Sequence, residues 1–178
     1  METIGDTRGE RWAAVRWPLL LTVGIVLALG WRVVSVWSSL PDTVASHFAA
    51  TGEPNAFMGK AGFFWVMGLV GGGTVALLFA LPLFLRRLPS SMLNVPNRDY
   101  WLATDERRQE ALDKLAGFLG WMSMATAALL AVATDLAIRA NLDGKPFANV
   151  PFLVCLAIYF VFVVGGTFWK LRPLAAPP

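Results

Sequence analysis

The sequence contains one histidine, His47, and two carboxylates stand close to it in the chain, Asp42 and Glu53. A histidine titrating near working pH is the commonest general base. A catalytic zinc needs about three protein ligands from His, Cys, Asp or Glu. These three residues lie in a stretch punctuated by Pro41, Gly52, Pro54 and Asn55, which signals turns. None of the spacings H-E-x-x-H, C-x-x-C or G-x-S-x-G occurs, and there is no phosphate-binding glycine loop. A lone loop histidine of this kind is more often a structural hydrogen-bonder than a ligand. The expectation is therefore no bound metal, no cofactor and no catalytic residue. Together with Phe48, Gly52 and Lys60, the three residues read instead as a ligand-binding surface.

Two further charges, Arg32 and Asp135, fall at the ends of long apolar runs. At 1.5 Å per residue, Arg32 lies about 22 Å along its helix from Trp17, and Asp135 roughly 30 Å along from Leu115. Both therefore approach the same interface. The bland reading has Arg32 snorkelling to headgroups and Asp135 merely ending its helix. The functional reading is a buried ion pair, since charges inside a membrane usually find partners. Gly71-Gly72-Gly73, with Gly68 and Gly72 as a small-xxx-small pair, points to close helix packing. A less favoured reading is an unwound stretch lining a cavity. Cys155 has no second cysteine with which to form an internal disulfide.

The elements that must position these residues follow from composition. The chain is 56% hydrophobic and 15% charged, against about 25% charged in a soluble globular domain. A spanning helix needs about 20 mostly apolar residues, and four runs meet or approach that length. The spans predicted are 17–37, 61–85, 113–138 and 148–170, joined by an external loop over 38–60 and a connection over 86–112. Period-2 alternation is absent, so helices are expected and a barrel is not. The first run has a basic start, but Trp37 spoils the small-residue pattern of a cleavage site, so it reads as an uncleaved anchor.

Lys and Arg collect on cytoplasmic loops. Eleven of them fall on the N-terminal tail, the 86–112 connection with Lys114, and the C-terminal tail; three, Lys60, Arg139 and Lys145, fall on the opposite side. Both termini are accordingly expected in the cytoplasm. Trp12, Trp17, Trp37, Trp65, Tyr100, Trp101 and Trp169 sit near span boundaries as interfacial anchors. The basic residues beside membrane ends make direct nucleic-acid binding a poor explanation. Phe48, Phe57 and Met58 give the first loop apolar anchors that would fold it back onto the membrane surface. Thr104-Asp105-Glu106 has the form of a helix start, so the third helix is expected to begin near Asp105 and run unbroken into the membrane.

Leu40-Pro41-Asp42, His47-Phe48, Gly52-Glu53-Pro54 and Lys60 resemble the signature of a bacterial membrane family of unknown function. That family forms the N-terminal part of SdpI-type toxin-immunity proteins. Asn94-Val95-Pro96-Asn97, Tyr100-Trp101-Leu102 and Glu106-Arg107-Arg108 look like a second block of the same family. The resemblance implies a bacterial cytoplasmic membrane. In SdpI-type systems it also implies recognition of a secreted toxin, with signalling to a cytoplasmic repressor. Those proteins carry a second membrane region that these 178 residues do not include.

The combined expectation is an all-α bundle of four transmembrane helices, a single domain, acting as a non-enzymatic membrane protein. The first loop would bind an extracellular ligand or peptide. Asn97, Tyr100, Trp101, Arg107 and Arg108 would meet a cytoplasmic partner, or else simply brace the helices. Two alternatives stay open: a small transporter or permease working as a homo-oligomer, and a membrane enzyme using His47.

Overall fold

The computed structural model of the protein describes residues 7–175, in the order α1 (Thr7–Val36), β1 (Thr43–Phe48), β2 (Pro54–Gly59), α2 (Lys60–Val66), a π-helical turn (Met67–Gly72), α3 (Gly73–Leu85), a 3-10 turn (Ser90–Met92), α4 (Arg98–Trp101), α5 (Asp105–Asp143) and α6 (Asn149–Ala175). The side chains of Arg8, Arg11, Trp12 and Lys170, which enter the charge and aromatic arguments, lie outside the described set. Four helices are long and apolar enough to cross a membrane: Val15–Val36, Lys60–Leu85, Asp105–Asp143 and Asn149–Trp169. Their outward faces carry large apolar side chains such as Leu27, Trp31, Leu69, Val161 and Phe168. Water would not tolerate this surface and lipid requires it, so the chain is a multi-pass membrane protein.

The helices do not share contacts evenly. α5 packs against α1, α3 and α6 and forms the axis of the bundle. Its sequence explains why. Ala116, Gly120, Ser123, Ala127, Thr134 and Ala137 recur at helical spacing and are all buried. Small residues let helix backbones approach closely, and that approach is the main source of helix association in lipid. A Cβ placed on Gly120 would meet the Pro18 ring at 3.5 Å and Phe79 Cε1 at 3.6 Å, so α1 and α3 both close on this point. Ser123 Oγ donates to the Val75 carbonyl at 2.9 Å, and the Thr126 hydroxyl pairs with the Tyr159 hydroxyl at 3.1 Å. Each such bond contributes about 0.6 kcal/mol in a membrane.

The glycines of the second span do not play the packing role expected of them. Open space surrounds Gly68, Gly72 and Gly73, and only Gly71 faces a neighbour, Leu130 Cδ1 at 3.2 Å. The helix is π-wound over Met67–Gly72, so the glycines mark a local change of helical winding.

The all-α expectation also needs correction, because the first loop is a two-stranded antiparallel hairpin. Val44 pairs with Met58 and Ala45 with Phe57, and the register shifts on either side of His47. Gly52 makes the turn with φ +89°, donating to the Ala49 carbonyl at 2.8 Å, while Ala49 donates to Glu53. A lone hairpin is marginally stable. This one is anchored by Val44 in a core cluster with Val36, Leu40, Phe63, Ala137 and Ile138.

At the other end of the bundle α5 starts at Asp105, with the Thr104 side chain accepting from the Arg107 backbone N–H at 3.3 Å. The local backbone N–H and, after it, a hydrogen bond from the Thr104 side chain hold the exposed Glu106 carboxyl below its usual range, outside the apolar part of the helix.

Candidate functional site

The hairpin is held in place largely through its backbone. The Asn141 side chain, on α5, accepts from the Ala45 N–H at 2.6 Å and donates to the Ala45 carbonyl at 3.1 Å. Phe147 N–H donates to the Gly52 carbonyl at 2.8 Å, and Asn149 Nδ2 to the Ala50 carbonyl at 2.7 Å. Phe48 and Phe147 pack with ring centroids 5.0 Å apart. Gly52 is buried, and a Cβ there would lie 2.6 Å from the Phe147 carbonyl oxygen. Gly52 is thus a docking position as well as a turn.

The remaining expected ligand residues divide. Lys60 is mostly buried. Its ammonium meets Asp42 Oδ1 at 3.0 Å and the Leu40 carbonyl at 3.3 Å, and lies 5.4 Å from the Trp37 ring centroid. It ties the end of α1 to the start of α2. Asp42 is 97% exposed in spite of that pair. Exposed His47 joins Asn55, Nδ1 to Oδ1 at 2.5 Å, across the hairpin. Glu53 and Phe57 are also exposed. The hairpin therefore presents Asp42, His47, Glu53, Asn55 and Phe57 outward, while Phe48, Gly52 and Lys60 fix it to the bundle. Among the described residues no three His, Cys, Asp or Glu side chains gather as a metal site requires.

Below the hairpin Arg32 Nε donates to Asp135 Oδ1 at 2.8 Å. Asp135 is shared: Arg139 Nε donates to its other oxygen at 2.7 Å. Arg139, four residues on along α5, was assigned by sequence only to the charge count. The i,i+4 spacing was the available signal.

The five residues expected to meet a cytoplasmic partner are all engaged within the chain. Trp101 is 1% exposed, so it is no membrane-interface anchor, and its Nε1–H donates to the Leu174 carbonyl at 2.9 Å. Asn97, in the left-handed region at φ 50°, donates through Nδ2 to the Leu174 and Ala175 carbonyls. These bonds occupy carbonyls in the last turn of α6, which have no partner within the helix. Arg107 lies over the Tyr100 ring at 4.2 Å and Lys114 over Trp101 at 5.0 Å. Arg108 donates to the Arg86 and Leu88 carbonyls at 3.1 and 2.7 Å, while Arg86 pairs with Asp113 and with Gln109.

A family model described as a domain of unknown function (DUF1648) matches residues 23–71. The matched stretch runs from within α1 through Arg32, the whole hairpin and Lys60 to Gly71; the 94–108 block lies beyond it. No curated protein and no solved structure matches the chain.

Proposed function

We propose that the protein is a non-enzymatic receptor-like protein of a bacterial cytoplasmic membrane, with both termini in the cytoplasm. In this reading its hairpin binds an extracellular peptide or other secreted ligand, in an immunity or signalling role. The observation that carries this is how the hairpin is held. Its backbone is bound by Asn141, Phe147 and Asn149, and the side chains of His47, Glu53, Asn55 and Phe57 face outward on a fixed platform. The DUF1648 similarity covers the same segment. Pre-ordered side chains lower the entropic cost of binding. At the other end Asn97 and Trp101 serve the tail of α6, so a cytoplasmic partner would meet the exposed surface around Arg98 and Asp99 instead.

A photoreactive amino acid at Phe57, with another at lipid-facing Trp65 as control, tests the reading in cells of the native host. The expected result is a peptide or protein adduct at 57 alone, lost in the double variant Asp42→Asn/His47→Ala. If both positions yield only lipid, the hairpin lies on the membrane surface and the binding role is wrong.

A further inference from the structure

We propose that a groove between α1 and α5, at the hairpin end of the bundle, binds an anionic phospholipid. Arg32 and Arg139 would hold its phosphate, with an acyl chain lying along the helices. The groove has a volume of about 470 Å³. Its α1 wall runs from Ile25 to Arg32 and its α5 wall from Ala131 to Arg139, each roughly 10–12 Å long at 1.5 Å per residue. Ala28 and Ala131 open it, because their methyl groups leave room between the two backbones. Leu29, Val132 and Leu136 make the rest of its surface apolar.

The charges stand at one end. Two arginines share a single aspartate, which leaves a net charge of +1 at a place that one phosphodiester would neutralise. Each arginine reaches Asp135 through Nε, and an arginine has four further N–H donors on its two terminal nitrogens. Among the described residues no acceptor meets those terminal nitrogens on either side chain. Donors of this kind, fixed in direction by a shared carboxylate and set beside an apolar groove open to the bilayer, match a phosphate joined to an acyl chain. The guanidinium fork suits phosphate oxygens in pairs. A zwitterionic headgroup would add a cation to a site that is already positive. The site lies on the lipid side of the bundle and does not depend on the hairpin's proposed ligand.

The test uses the full chain in a neutral detergent, offered phosphatidylglycerol and phosphatidylcholine of identical acyl composition in equal amounts, with retained lipid counted by native mass spectrometry. Phosphatidylglycerol is expected to be retained over phosphatidylcholine by about fivefold. Arg139→Gln leaves the Arg32–Asp135 pair in place and should bring the ratio close to one. Ala131→Phe fills the groove without touching a charge and should lower retention of both lipids. Equal retention by the unaltered protein overturns the proposal, as does a phosphatidylglycerol signal that neither variant changes. Inorganic phosphate that displaces the lipid, with Ala131→Phe having no effect, also overturns it, because the site would then take a free anion.

Discussion

At the connector end of the bundle, loop side chains point inward and bind the backbone of another element: Trp101 and Asn97 on the carbonyls of Leu174 and Ala175. At the hairpin end the relation is reversed. The loop offers its backbone, side chains of later elements such as Asn141 and Asn149 bind it, and its own His47, Glu53 and Phe57 stay outside. A side chain committed to closing a helix is not available to a partner, whereas one on a backbone-docked hairpin is. Two polar, aromatic-containing segments that look alike as sequence therefore differ in what they have left to offer.

Substitutions can break or sharpen this contrast. The largest effect is expected at Trp101→Ala, which removes a buried indole and strips from the Leu174 carbonyl the shorter of its two side-chain N–H donors, leaving only Asn97 Nδ2. The loss should be about 3–5 kcal/mol of unfolding free energy in detergent. Asn141→Ala should cost less, about 2 kcal/mol, since it strips partners from one backbone N–H and one carbonyl that are partly buried. His47→Ala should change stability by no more than about 0.5 kcal/mol, because the ring is exposed and its one bond joins it to Asn55. Denaturant titration followed by tryptophan fluorescence would rank the three. If His47→Ala matched Asn141→Ala, the hairpin's side chains would be structural after all and the contrast would collapse.

Much of the architecture was legible in the sequence because apolar length is a strong signal. Four runs of that length leave little choice of element, and Thr104-Asp105-Glu106 marked the start of α5 within a residue. The hairpin was not legible. Thr43–Phe48 is short and irregular in register, and its stability comes from Val44 seated among residues of three other segments. Gly71-Gly72-Gly73, where the glycines are most conspicuous, does not carry the packing role of small residues. That role belongs instead to the quieter alanine, glycine and serine stripe of α5, whose three- and four-residue spacing was there to be counted. Arg32 and Asp135 drew notice as charges in apolar runs. Arg139 did not, because it stood one residue past the predicted end of the third span at 138. The inward direction of Asn97 and Trp101 has no sequence signature, since polar and aromatic residues at a membrane edge look the same whether they face lipid or protein.

The hairpin's dependence on Asn141 and Asn149 also sets an order of events during synthesis. Their backbone partners, Ala45 and Ala50, precede them by 96 and 99 residues. At about 5–20 residues per second, the ribosome needs roughly 5–20 seconds to cover that distance. Throughout that interval the nascent hairpin rests only on the helices beside it, and its strands lack their later fastening. Delivery of the end of α5 and the start of α6 is therefore the step that completes the hairpin's fastening.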